Sequence, residues 1–241
     1  MIFDLDDGNQ LIAPMTNHES INEELLCNNL ISLIKNKKFN FEELLDLSEN
    51  NDIDQLGLNI FDLFVLKCYL EFKNPNKIIE IGCGTSTRLM NNLGYNVETF
   101  ALDDIHSIVT NSNPIKYHKT NLLTDDGLDE VIKNCNDTDL LFVDGHHSYN
   151  FAKRVYEDIV PVINTPVICH DFLPLTYDLT WGEQYYLMNE FLNKKNNYSL
   201  FTTTSINNNF YNRIKDETGI DLTLHEVGSS QKVIKCLGII N

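Results

Sequence analysis

Two short stretches of the chain carry side chains that can move protons or hold cations. One is Asp144-Gly145-His146-His147-Ser148-Tyr149, and the other is Cys169-His170-Asp171. An imidazole titrates near neutral pH, so it can take a proton from a hydroxyl group. A divalent cation held by nearby acids would lower the pKa of that hydroxyl and orient its oxygen. Asp144, His147, His170 and Asp171 therefore form a candidate deprotonation site. The competing reading has the two acids capping the helices that follow them.

A third stretch binds rather than reacts. Glu80-Ile81-Gly82-Cys83-Gly84-Thr85-Ser86-Thr87 places two glycines between an apolar run and a helical pattern. Glycine lets the backbone turn sharply and approach a ligand closely. A dinucleotide site wants a third glycine, for close helix–strand packing, at the position held here by Thr87. The next apolar run ends in Asp103-Asp104. An acid there can accept hydrogen bonds from both hydroxyls of a ribose. Asp103 is the first choice and Asp104 the alternate.

These groups need elements to position them. Short apolar runs alternate with helical stretches from Lys77 onward, the pattern of a doubly wound, mostly parallel α/β sheet. The spacing predicts seven strands over 77–81, 97–102, 115–119, 139–143, 166–170, 198–204 and 232–239. Helices are expected over about 86–93, 126–134, 149–160 and 181–195. Leu140-Leu141-Phe142-Val143 is apolar without a break, as a strand covered on both faces should be. In such a sheet ligands bind beyond the carboxyl ends of the strands. All three stretches above fall at such ends. Before Lys77, helical patterns start near Ser20, near Phe41 and at Asn59, the last running to Phe72 and closing at Asn74-Pro75. The chain thus divides into a helical cap over 1–75 and a ligand-binding domain over 76–241. Residues 1–18 lack periodicity. Residues 205–231, with Asn207-Asn208-Asn209, read as irregular. Trp181, Tyr185, Tyr186, Met188 and Phe191 form an aromatic stripe that either packs or lines an acceptor pocket.

The pattern E-x-G-x-G-x-S-T resembles motif I of the class I S-adenosylmethionine (SAM) dependent methyltransferases over about residues 75–175. The resemblance implies a Rossmann-like sheet and a methyl transfer. It implies that the loop of Gly82, Cys83, Gly84, Thr85 and Ser86 lies against the methionine part of SAM. Glu80 would help hold the SAM ammonium group, Asp103 the ribose, and Asn121, after the third strand, the adenine. D-G-x-H-S-Y followed by H-D resembles a branch of small-molecule and sugar O-methyltransferases, of the macrocin and mycinamicin type. That resemblance implies His147 as general base, with Asp144 beside it. It also implies Asp144 and Asp171 as ligands to Mg2+ or another divalent cation. His170 stands where some of those relatives carry an acid. An imidazole there would shift the preference from magnesium, which takes oxygen ligands, toward a transition ion.

Composition narrows the partners. The formal net charge is -17, which repels phosphate backbones and makes nucleic acid a poor substrate. No apolar run approaches the roughly 18 residues of a membrane span. The six cysteines form no C-x-x-C pair, and Met1-Ile2-Phe3-Asp4 carries no basic flank of the secretory kind. The expectation is a cytoplasmic enzyme acting on a small molecule or sugar. Nothing in the sequence sets an oligomeric state. Two other readings stay open: a non-catalytic SAM-binding subunit serving a partner enzyme, and an NAD-dependent oxidoreductase.

Overall fold

The structure, a computed structural model, describes residues 2–4, 10–12, 28, 31–32, 35, 60–102, 115–170, 182–191, 200–202, 208–221 and 237–240. Its centre is a set of parallel strands: β3 (Ile78–Ile81), β4 (Val97–Ala101), β5 (Lys116–Lys119), β6 (Leu140–Val143) and β7 (Val167–His170). Each starts or stops one residue inside the run expected from sequence. Beyond β7 the strand β9 (Leu237–Ile240) pairs antiparallel, and β8 (Leu200–Thr202) pairs antiparallel with β9. The spatial order is β5-β4-β3-β6-β7-β9-β8. The order reverses between β3 and β6, and the crevice at such a switch point is where open α/β sheets hold their ligands.

Burial explains why these runs became the inner strands. Every residue of β3, β6 and β7 is buried. Burying a side chain such as Leu141 or Phe142 stabilises by about 1.5–3 kcal/mol. Alternation along the strands sends Ile79, Ile81, Leu141, Val143, Val167 and Cys169 to one face. There they meet α3 (Asp125–Cys135), α4 (Tyr149–Arg154) and α5 (Gly182–Tyr186). Toward the opposite face lies α2 (Thr85–Asn92), against which α1 (Ile60–Lys73) packs, with Leu63, Leu66 and Leu70 fully buried. The helix α1 ends as expected. Asn74 takes a left-handed φ of 48°, its N–H donates to the Leu70 carbonyl at 2.7 Å, and Pro75 follows.

The helix after β6 changes pitch. It runs as α to Arg154, as a π turn over Val155–Ile159, and as a 3-10 turn over Val160–Val162, where Pro161 supplies no N–H. α5 likewise passes into a π turn over Leu187–Phe191. The aromatic stripe packs these two helices together: Tyr156 lies 5.0 Å from Phe191 and 6.3 Å from Tyr186, ring to ring. Tyr185 stays partly exposed. Trp181 lies outside the described residues, and so does the Met188 side chain.

Two expectations need correction. The stretch 205–231 contains a regular helix, α6 (Asn208–Thr218), closed by Gly219 at φ 79°. Its buried Ile214 is the apolar anchor, while Arg213 bonds Asn28 and Glu217 bonds Lys35. Residues 1–18 hold a small antiparallel pair, β1 (Ile2–Asp4) with β2 (Gln10–Ile12). Of the first two expected cap helices, only Asn28, Ile31, Ser32 and Lys35 are described, and they are helical. Among the described residues no helix is long and apolar enough to cross a membrane.

Candidate functional site

Strand register brings the three stretches to one edge. Ile81 pairs with Val143, so Gly82 and Asp144 leave the sheet side by side. Val143 pairs with Cys169, which sets Asp144 beside His170. Backbone bonds fix the corner: the Gly82 N–H donates to the Phe100 carbonyl and the Asp144 N–H to the Ile81 carbonyl, each at 2.8 Å.

The two glycines do different work. Gly82 has a φ of 113°, and a Cβ there would lie 1.8 Å from the Asp144 carbonyl oxygen. Only glycine allows this conformation and this approach together. Gly84 has extended backbone, and a Cβ there would meet nothing within 4 Å. Gly84 therefore faces open space at the carboxyl end of β3, where a ligand can come close to the chain.

Glu80 is the buried hub beneath that loop. It is 0 % exposed and accepts three hydroxyls: Ser86 at 2.5 Å, Thr87 at 2.6 Å and Thr99 at 3.0 Å. The Thr87 hydroxyl in turn accepts the Gly84 N–H at 2.9 Å. This chain of bonds ties the glycine turn to the first turn of α2 and to β4. Burial pushes the Glu80 carboxyl up to about 7, against the three hydroxyls, which pull it down; Asp144 adds a smaller upward push. Ser86 is spent on Glu80, whereas Cys83 is partly exposed and Thr85 is buried at the start of α2.

The acids and histidines sort into two pairs. His170 is 1 % exposed, and its Nδ1 lies 3.0 Å from Asp144 Oδ1. His147 Nδ1 lies 2.7 Å from Glu183 Oε2, and the Glu183 N–H donates to the His147 carbonyl at 3.1 Å. His146 is exposed. Between these histidines and α4 stands Ser148, whose hydroxyl accepts the Phe151 N–H at 3.2 Å and caps the helix. Asp144 itself caps no helix.

Other expected residues lie nearby or outside. Asn121 follows β5, with its side-chain oxygen accepting the Leu123 N–H at 3.0 Å in a tight turn. Asp103, Asp104 and Asp171 lie outside the described residues. Among the described residues no group of three His, Cys, Asp or Glu is placed to hold a metal.

Sequence reasoning missed Glu183, Leu102 and Leu123. Glu183 falls in helical register with Leu187 and Phe191, both buried, and a charge on an apolar stripe is the signal that marks it. Leu102 and Leu123 follow β4 and β5 and are 51 % and 45 % exposed. Leu102 lies one residue past β4, and Leu123 lies four residues past the neighbouring β5.

The fold is shared with solved enzymes. An O-methyltransferase from Bacillus cereus in complex with SAH aligns with a TM-score of 0.54, at 13 % identity, over 88 % of this chain and 96 % of that one. A methyltransferase from Podospora anserina, bound to SAH, aligns at 0.51, with 12 % identity over 94 % and 99 % of the two chains. The O-methyltransferase TomG from Streptomyces achromogenes, in complex with SAM, gives 0.52, with 10 % identity over 92 % and 98 %. No protein-family model matches the sequence, and no curated protein matches it. The chain has the fold of the SAM-dependent methyltransferases.

Proposed function

We propose that this chain is a SAM-dependent O-methyltransferase acting on a small hydroxylated acceptor such as a sugar. The observation that carries the reading is the shared corner of Gly82 and Asp144 at the switch point. It sets an open glycine turn against a loop that bears His147. The neighbours support it, since the three named are methyltransferases solved with SAM or SAH.

In this reading Gly84, Cys83 and Thr85 line the seat of the methionine moiety, which the open space at Gly84 fits. Leu102 and Leu123 flank the adenine, with Asn121 at its edge, and Asp103 holds the ribose. Glu80 and Ser86 act through each other, holding the turn in shape, and Glu80 contributes negative potential toward the ammonium group. Bound SAM would supply a methyl already activated by its sulfonium. What the protein adds is alignment of an acceptor oxygen with that methyl, and removal of the proton the hydroxyl must lose. His147 takes that proton. Asp144, bonded to His170, keeps a fixed carboxylate at the same corner.

Asp144, His170 and Asp171 are the residues that the resemblance offers for a divalent cation. As they stand, Asp144 and His170 fit each other better than a magnesium shell, which takes oxygen ligands. No step is assigned to a cation. The wider reading includes a full seven-stranded class I sheet, a cap over 1–75, a SAM domain over 76–241, and a cytoplasmic location consistent with buried free thiols at Cys135 and Cys169.

Calorimetry with SAM, SAH and NAD tests the cofactor: SAM and SAH bind and NAD does not. Binding of NAD alone would refute the reading. Radiolabelled-methyl SAM, offered with a panel of free sugars, macrolide glycosides and phenols, tests transfer. His147→Ala should abolish turnover on whichever panel member is methylated and leave SAM affinity within about twofold. Undiminished turnover removes His147 as base.

A further inference from the structure

We propose that Glu183 is the positioning residue that fixes the tautomer and orientation of His147. The inference rests on the reading of His147 as base and adds the group that would make it one.

The pair is linked twice. The carboxylate meets Nδ1 at 2.7 Å, and the Glu183 backbone N–H binds the His147 carbonyl at 3.1 Å. These contacts join residues 36 positions apart, across the loop after β6 and the start of α5. The ring cannot turn without breaking the first contact, and α5 cannot move away without breaking both. The Glu183 side chain is 2 % exposed while that of His147 is 23 % exposed. The carboxylate is sealed inside, and the imidazole bridges from it to the site.

The chemistry follows from donor and acceptor roles. An ionised carboxylate only accepts, so the Nδ1 of a neutral His147 must carry the proton. The lone pair is then on Nε2, the nitrogen left to receive a proton. Once Nε2 is protonated the ring is a cation, and the adjacent carboxylate stabilises it.

The groups around Glu183 favour this assignment. From the helix after β6 comes Tyr156, and from β7 comes Cys169, each pushed upward first by burial and then in part by the Glu183 charge. Both remain neutral, and Tyr156 is already donating to the Cys169 sulfur at 2.9 Å. Further along the same helices, Glu190 accepts from Tyr149 and Glu157 from Tyr186. Asp144, on the loop before His147, is bonded to His170. The acids among these groups, Glu190, Glu157 and Asp144, bring negative charge to the surroundings, which favours the imidazolium of His147 beside Glu183. Sequence supports the same view: glutamate on the apolar stripe with Leu187 and Phe191 costs folding energy unless it has a partner.

The test reads His147 directly. Nitrogen-15 NMR of the full-length chain with SAH added reports the tautomer and titration of His147, assigned by its loss in His147→Ala. In the wild type, the neutral ring should carry its proton on Nδ1. Glu183→Gln keeps an acceptor but removes the charge, so the midpoint should fall by about one pH unit. On a methylated panel acceptor, kcat should drop at least tenfold with SAM affinity unchanged, and Glu183→Asp should recover part of the loss. If Glu183→Gln folds poorly, Glu183→Asp carries the titration: a midpoint between wild type and an uncharged neighbour supports the link. A Glu183 with only a structural role would lower thermal stability on substitution and leave the His147 titration and tautomer unmoved, which overturns the proposal. The two ideas fail separately, because the titration needs no turnover. An inactive His147→Ala with an unmoved titration overturns Glu183 alone, whereas an active His147→Ala overturns the base and the role of Glu183 with it.

Discussion

Glu80→Gln replaces a carboxyl by a neutral amide of nearly the same shape, at a site no solvent reaches. The Glu80 carboxyl is pushed from 4.5 up to about 7 in the folded chain, chiefly by burial. An acid whose folded pKa is raised keeps its proton longer when folded than when unfolded. Between about pH 4.5 and about pH 7 the folded state therefore binds more protons, and stability falls as pH rises through that window. Above it the penalty is constant. A displacement of about 2.5 pH units, at 1.36 kcal/mol each, makes the wild type lose about 3 kcal/mol across the window. Gln does not titrate, so the variant escapes this loss. It carries a pH-independent offset instead, because the amide NH2 must find an acceptor among hydroxyls that now donate to Glu80; a mismatch there costs about 1–3 kcal/mol. Urea denaturation of both proteins, followed by far-ultraviolet circular dichroism, gives the difference in unfolding free energy at each pH. That difference should move by about 3 kcal/mol in favour of Gln between about pH 4.5 and about pH 8. Every other titrating group is common to both chains and cancels. A difference that is flat with pH would refute the reasoning, since Glu80 would then ionise as freely folded as unfolded. Repeating the comparison with SAM present tests the ammonium reading: a bound cation near Glu80 favours the carboxylate and flattens the wild-type curve.

Other outcomes follow from the same geometry. Gly82→Ala should cost at least about 3 kcal/mol of stability, or fail to fold, because its Cβ meets a backbone oxygen at a strained φ; thermal melts check it. Gly84→Ala should melt near the wild type yet weaken SAM binding at least tenfold by calorimetry, the added methyl occupying the open seat. Ser148→Ala removes the α4 cap and should lower stability by about 1 kcal/mol, with SAM affinity intact. Chelation with EDTA should leave turnover on a methylated acceptor unchanged, since Asp144 and His170 are bonded to one another; a loss restored by added Mg2+ or Mn2+ would show that the pair opens to a cation.

The inner strands were legible because burial on both faces leaves a plain mark. Ile78–Ile81, Leu140–Val143 and Val167–His170 are short runs dominated by apolar residues, and the first two end in turn or polar residues that stop them. Gly82, Asp144 and His170 were legible as candidates for the same reason: they stand at, or one step past, those ends. α6 was hidden by Asn208, Asn209 and Asn212, residues that favour turns, and by an apolar face on which Ile214 is the described buried residue. The pairing of Glu183 was hidden by distance. Its partner His147 lies on another element, and no local spacing joins them. The sharing of hydroxyls beneath Glu80 was also unreadable, since Thr99 reaches it only after β4 pairs with β3.

The carbonyl of Asp144 fills the volume that any side chain at residue 82 would need. The two turns are thus one joint with a shared hinge pin. A chimaera that imports the loop over 144–149 from another parent also replaces the wall on which the Gly82 turn rests. Recombination sites between β3 and β6 therefore break the joint, while those that carry both turns together keep it. Glu183 on α5 is bonded to His147 of the same loop, so α5 belongs with the two turns, and the three are best carried as a unit.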